Sequence, residues 1–504
     1  MLLKQRVNIK QNTKWLARRL HHFRRGEDGA IIVMTLIFLM IMLIMGGMGV
    51  DFMRFEARRA MLQSTADRAV LAAADLTQTQ DAKDVVIDYF EKAGFGGTIV
   101  GEPSVIDTGE FNSVGVTAKL PMNTFFLKAL GIETLEAPAA ATAIEGIANV
   151  EVSLVLDISG SMEDNVTPAD GSAPSETKIQ ALREAAIEFA TVMLTDAYKD
   201  KISISLIPYS EQVNVGPLIM NQMTIAQNGA THNFSQCVAF DDAEFDRLDL
   251  DLAFPYVQEQ HFQWNSSYGN AITEPICPRY DFERVTPWSQ SLSDLTTQIN
   301  QLQPRGGTAT FYGLKWALAL LDPSTNDIAK ALAADGIDVV DDVFDDRPAA
   351  YAVQGEANLT QKVVVLMTDG QNSNSERLNT EFYNSPSDVA HWAAYNFWVS
   401  ASKHFGIGYP NQLGTLTYRR FIQNGNNDGK GGSDGDLLMQ QLCTKAKNKE
   451  VIIYTVAVEA GSFGAGEMAK CASGPEFAFD VTGDQMKATF GNIARQITEL
   501  RLSL

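Results

Sequence analysis

The stretch VEVSLVLDISGSM, Val150–Met162, decides the fold. Its first half is a near-continuous apolar run, the pattern of a central strand in a parallel sheet, where both faces are covered. The run ends at Asp157 in a turn rich in side-chain oxygen. Downstream, Thr177–Leu194 places Ile179, Leu182, Ala186, Phe189 and Ala190 on one helical face, and KISISLIPY (Lys201–Tyr209) is a second strand. The alternation continues with helices at Leu292–Leu302 and Phe311–Leu321, a strand at Lys362–Asp369 and a helix at Asp436–Lys447. Strands at Val451–Val458 and Glu476–Val481 and a helix at Gln485–Leu500 complete it. Strands separated by helices imply right-handed crossovers and a sheet covered on both faces. Residues 149–504 therefore read as a doubly wound, Rossmann-like α/β domain.

Ligands of such sheets collect at the carboxyl ends of the strands. The first strand ends in DISGSM, with Asp157, Ser159 and Ser161; LMTDGQN ends another at Asp369; and RGGTAT, ahead of the helix near Phe311, supplies Thr308. A hard divalent cation takes about six oxygens and keeps water where protein ligands run out. Three hydroxyls and two carboxylates suit it. The DISGSM turn alone would serve equally well as a helix cap, but Thr308 and Asp369 at neighbouring strand ends favour the metal. Neither Ser159 nor Ser161 sits in a G-x-S-x-G elbow, and the six histidines form no motif with them, so an enzyme is not expected.

These residues carry a family resemblance. Asp157-x-Ser159-x-Ser161, Thr308 in a Gly-Gly-Thr loop and Asp369 in an Asp-Gly strand end resemble the metal-ion-dependent adhesion site of von Willebrand factor type A domains. The resemblance implies Mg²⁺, or else Mn²⁺ or Ca²⁺, held by these five residues, with water or a partner's carboxylate at the sixth position. The chain is longer than a minimal domain of that type, with insertions at about 211–290, 323–360 and 374–435. The first is rich in aromatics, among them Phe240, Phe245, Tyr256 and Trp288, and reads as a self-packed elaboration. Asn424–Asp436 lacks the EF-hand glutamate and reads as a solvated loop, and Asp335–Asp346 as an acidic surface turn.

Upstream lies Ala30–Val50, 21 residues apolar apart from Thr35 and without a charge. At 1.5 Å per residue they span the roughly 30 Å hydrocarbon core, so a single transmembrane helix is expected. The span is long for a signal peptide and no A-x-A site follows it. Of 504 residues, 40 are Lys or Arg and 61 Asp or Glu, a net charge of −21. Residues 1–29 hold eight basic and two acidic side chains, which leaves 32 basic against 59 acidic beyond them. The basic tail predicts a cytoplasmic N-terminus and an exported remainder, and the acidic body argues against nucleic-acid binding. All four cysteines, Cys237, Cys277, Cys443 and Cys471, fall in the exported part. Three pairings are open to them, nearest-neighbour pairing being the simplest.

Between the span and the α/β domain, residues 51–148 read as a small α+β stalk. Helices are expected at Phe52–Leu76 and Asp81–Ala93, alternating segments at Ser113–Leu120 and Thr134–Glu145, and a short apolar helix at Asn123–Leu130. Gly26–Leu76 resembles the N-terminal segment of TadG-like proteins of tight-adherence (Flp) pilus assembly: a basic tail, a Gly-flanked apolar helix, Val50-Asp51, then an Ala-rich helix with Gln63, Ala66 and Asp67. The fifth position after Gly29 is Met34 and after Gly26 is Ile31, not the Glu that prepilin cleavage needs, so an intact anchored protein is expected. The resemblance implies a single-pass bacterial inner-membrane protein with a pilin-like stalk and periplasmic or surface-exposed domains. It would assemble or anchor a pilus by binding other pilus or secretion-system proteins through a carboxylate at the metal. The alternative is a surface adhesin for host or matrix ligands.

Overall fold

The computed structural model describes residues 28–75, 78–107, 111–146, 149–264, 270–334, 337, 339–351, 360–408, 414–423 and 433–502. The basic tail up to residue 27, most of Asn424–Asp436 and parts of Asp335–Asp346 lie outside the described residues. The chain divides into two compact units, Met1–Gly146 and Ile147–Leu504.

In the N-terminal unit the apolar span and the following helix form one uninterrupted helix, α1 (Asp28–Ala74). Its Ile31–Ala74 portion is long and apolar enough to cross a membrane. The second helix, α2 (Ala82–Lys92), is capped by Asp81, whose side chain accepts from the N–H groups of Lys83 and Asp84. Three antiparallel strands, β1 (Ser104–Asp107), β2 (Phe111–Asn123) and β3 (Thr134–Gly146), lie in the order β1-β2-β3. Leu62, Ala66, Ala69, Val70 and Ala73 of α1 pack with Val86 and Phe90 of α2 on Val114, Val116 and Ala118 of β2. Small residues on α1 let the helix approach the sheet closely.

Two polar side chains of α1 tie it to the sheet and its connections. Gln63 donates Nε2–H to the Ala140 carbonyl (2.9 Å) and to Asp67 Oδ1 (2.8 Å), and accepts from the Ala140 N–H (3.3 Å). It thereby satisfies a residue of β3 as a neighbouring strand would. The Asp51 carboxylate accepts from the N–H groups of Phe125 (3.0 Å), Phe126 (2.7 Å) and Leu127 (2.9 Å). The helix expected at Asn123–Leu130 is reduced to one 3₁₀ turn, Leu127–Leu130. Its start is capped from 74 residues away rather than by its own sequence, and Gly131 ends it at φ +84°.

The C-terminal unit is built on a six-stranded sheet. Its strands are β4 (Asn149–Asp157), β5 (Ile202–Tyr209), β6 (Thr286–Ser289), β7 (Thr360–Thr368), β11 (Ile452–Val458) and β12 (Ala478–Val481). The intervening β8 (Ser375–Leu378), β9 (Thr417–Ile422) and β10 (Ser433–Asp434) form a separate small sheet inside the 374–435 insertion. The main sheet has the order β12-β11-β7-β4-β5-β6, parallel except for β6, which runs antiparallel to β5. The strand at β6 lies in the stretch expected as insertion. Helices α3 (Lys178–Met193), α4 (Leu292–Gln301) and α8 (Met486–Leu502) cover one face. The wholly buried α5 (Thr310–Ala319), with α6 (Gly435–Lys447) and α7 (Gly461–Cys471), covers the other.

Packing of α5 on the sheet is tight. A Cβ at Gly313 would stand 2.8 Å from both Tyr209 and Val155, so only glycine fits there. Ser153 in β4 donates to the Ala317 carbonyl (2.9 Å), and Glu151 pairs with Lys362 across the β4–β7 ladder at 2.6 Å. Disulfides join Cys237 to Cys277 and Cys443 to Cys471, the nearest-neighbour pairing.

Candidate metal site

From β4 the chain winds to β5 and β6 on one side, then returns to β7 on the other. The strand order therefore reverses between β4 and β7, the place at which sheets of this kind form a ligand crevice. Asp157 is the last residue of β4 and Thr368 the last of β7. Thr368 Oγ1 donates to Asp157 Oδ2 (2.7 Å) across the crevice, and Asp157 Oδ1 accepts from the Ser159 N–H (2.8 Å). The Asp157 carboxylate is fully buried.

Four of the five expected residues form one hydrogen-bonded chain. Ser159 Oγ lies 3.1 Å from Ser161 Oγ, and Ser161 Oγ donates to Asp369 Oδ1 at 2.6 Å. Thr308, also buried, joins them through its loop. The Gly160 N–H donates to the Gly306 carbonyl (2.9 Å) and the Arg305 N–H to the Ile158 carbonyl (2.8 Å), which pins the serine turn to the Gly-Gly-Thr loop. Three loops thus converge on a cluster of hydroxyl and carboxylate oxygens.

Two further residues complete the surroundings. Lys178, the first residue of α3, lies buried with its ammonium 2.9 Å from Asp369 Oδ2. A lysine in the first turn of a helix opposes the helix dipole, and this misfit was its one trace in the sequence. Ser373, beyond β7, clamps Thr308: its Oγ accepts from the Thr308 N–H (2.6 Å) and donates to the Thr308 carbonyl (3.1 Å). Nothing in its local pattern distinguishes it from other loop serines.

Burial, and after it the charge of Asp369, pushes the Asp157 carboxyl up to about 7, against hydrogen bonds from Ser159 and Thr368. Two carboxylates held together out of water repel, and positive charge between them relieves that cost. The donor set is all oxygen, which suits a hard divalent cation. Among the described residues no group of three or more His, Cys, Asp or Glu forms a carboxylate- or imidazole-rich metal cluster. The hydroxyls carry the fit.

Strand order and site together define the class: the C-terminal unit is a doubly wound α/β domain with its oxygen-rich site where the strand order reverses. Residues 29–76 match the model of the family described as putative Flp pilus-assembly, TadE/G-like. No curated protein matches the chain. Among solved structures, the von Willebrand domain of the type V pili tip protein Mfa5 from Porphyromonas gingivalis is 16% identical, with 69% of this chain and 95% of that chain covered at a TM-score of 0.33. The pilus adhesin SpaC from Lactobacillus rhamnosus GG is 14% identical over 79% of this chain and 34% of that one, at 0.32. A von Willebrand factor type A structure from Catenulispora acidiphila is 14% identical over 76% and 45%, at 0.25.

Proposed function

We propose that this protein is a non-enzymatic, membrane-anchored component of tight-adherence pilus assembly or anchoring, whose C-terminal unit makes divalent-cation-dependent contacts with another pilus or secretion-system protein. The observation that carries the metal reading is the single chain of oxygens, Asp157, Ser159, Ser161 and Asp369, in the crevice between the β4 and β7 ends. The family match at residues 29–76 supports the pilus setting, and the apolar α1 supports the anchor. We place the anchor in the inner membrane with the basic N-terminus cytoplasmic, because positive charge is retained on that side.

Asp157, Ser159, Ser161, Thr308 and Asp369 are the residues that would hold the cation. When bound, a divalent cation supplies a positive centre to which a partner's Asp or Glu is drawn. The chain's own groups set the charge balance. Asp157 and Asp369 contribute two negative charges and Lys178 returns one, so with a doubly charged ion the site is left net positive. The hydroxyls add ligand oxygen without adding charge. An acidic protein thus presents a local attraction for an acidic ligand.

The test is a pull-down of partner proteins by the full chain in Mg²⁺ and in chelator, with Asp157→Ala alongside. Capture in Mg²⁺ that chelator and the variant both abolish is expected; equal capture in all three refutes the metal-dependent contact. An alkaline-phosphatase fusion after Leu504 is expected to be active, and a stable but inactive fusion refutes the orientation.

A further inference from the structure

The connection between β2 and β3 presents four large apolar side chains to the exterior of the N-terminal unit: Phe125 (68% exposed), Phe126 (42%), Leu130 (54%) and Ile132 (44%). Of the large apolar side chains in this connection, Leu127 alone turns inward. A contiguous exposed apolar surface of this kind marks an interaction site in a soluble unit. Its position along α1 identifies the partner.

Two contacts fix that position. The Asp51 carboxylate holds the N–H groups of Phe125, Phe126 and Leu127. The Phe126 side chain lies directly on Gly47, where an added Cβ would run into the ring. Gly47 precedes Asp51 by four residues and lies inside the apolar span Ala30–Val50, about 6 Å along the helix axis from Asp51. Phe126 therefore sits at the depth of the last turn of the span, where hydrocarbon gives way to headgroups. On α1, Val50, Phe52 and Met53 are exposed at the same level. Basic groups frame the patch: Lys128 is exposed within the turn, and the Arg54 guanidinium lies 4.1 Å from the centre of the Phe125 ring.

We propose that Phe125–Ile132 is a membrane-seating wedge: Phe125, Phe126, Leu130 and Ile132 enter the leaflet at the C-terminal end of the span, while Lys128 and Arg54 meet lipid phosphates. The partner is the phospholipid bilayer itself, because the patch is continuous with the exposed apolar surface of α1. A helix alone leaves the unit free to swivel about its axis; an off-axis wedge fixes which face lies on the membrane. The inference rests on the reading of α1 as a membrane anchor.

The described cysteines are all in disulfides, so an introduced cysteine is the labelled thiol. Full-length Leu130→Cys carrying an NBD fluorophore, in nanodiscs of phosphatidylethanolamine and phosphatidylglycerol, is expected to be quenched about twofold by lipids spin-labelled near the headgroup and less by lipids labelled deep in the chain. Ile132→Cys should behave alike, and Leu43→Cys, in mid-span, should respond most to the deep label. Quenching at Leu43 without quenching at Leu130 and Ile132 overturns the wedge and leaves the anchor standing. No quenching at any of the three refutes the anchor, and the wedge with it. Blue-shifted emission at Leu130 that no lipid quencher affects assigns the patch to a protein contact and overturns the proposal.

Discussion

Asp51 and Asp157 are both buried, and they are served by opposite kinds of neighbour. Asp51 receives three backbone N–H groups, with Arg54 at 3.7 Å. Asp157 receives one N–H and one hydroxyl and faces a second carboxylate. Donors that point at a carboxylate finish its bonding and make it a clip. Hydroxyls, which accept as readily as they donate, and a like charge leave a carboxylate with a use for a cation. The same residue type is thus a structural tie in one unit and a candidate ligand in the other.

The comparison is broken most directly at Asp51. Asp51→Ala strands three N–H groups, and we expect the amides of Phe125, Phe126 and Leu127 to lose hydrogen-exchange protection in Mg²⁺ and in chelator alike; a loss confined to chelator would contradict the distinction. Asp157→Ala should behave in the reverse sense. It should forfeit the roughly 2.7 kcal/mol of stabilisation that a cation at about 100 times its Kd confers, read as the Mg²⁺-dependent shift in melting temperature. In chelator its stability should change by less than about 1 kcal/mol, since relief of the buried charge offsets the lost hydrogen bonds. A smaller effect is expected from Lys178→Gln: removing the ammonium beside Asp369 should tighten Mg²⁺ binding by about tenfold, or about 1.4 kcal/mol, measured by calorimetry. Unchanged affinity would show that Lys178 does not share the site's charge.

A gentler test uses pH. His261 is buried, with Nδ1 2.7 Å from Ser235 Oγ. Burial first, then the positive neighbours His232 and Arg279, lowers its pKa to about 3. The unfolded chain therefore binds a proton that the folded chain refuses, and stability present above pH 6.5 is lost as pH falls towards 3. The slope should approach about 1.4 kcal/mol per pH unit. His261→Gln should flatten that limb in chemical denaturation; an unaltered limb would assign it to other groups.

What was legible in the sequence follows from the same contrast between local and remote partners. The β4 and β7 strands announce themselves as apolar runs, Asp157, Ser159, Ser161 and Asp369 stand at or just after their ends, and Thr308 stands in the loop ahead of α5, a combination that a helix cap alone would not need. Lys178 and Ser373 were not legible, because their partners Asp369 and Thr308 are 191 and 65 residues away. The turn at Leu127–Leu130 looks helical by hydropathy and is shortened by a cap from Asp51. Ser375–Leu378 falls in the stretch expected as an insertion and carries the charged Glu376 and Arg377, yet the strand is buried: Arg377 pairs with Glu259 at 2.9 Å and Glu376 with Arg419 at 3.3 Å. Charge that is neutralised by a distant residue looks like solvent exposure until the fold is known.

Gln63 carries one more consequence. At 13 residues, β3 is a long strand at the margin of its sheet, the kind of ribbon onto which another chain's strand can zip. The Gln63 amide occupies the main-chain groups of Ala140 at the middle of that ribbon. An incoming strand would have to evict it, so a single glutamine in a helix guards the sheet against strand exchange with its own kind.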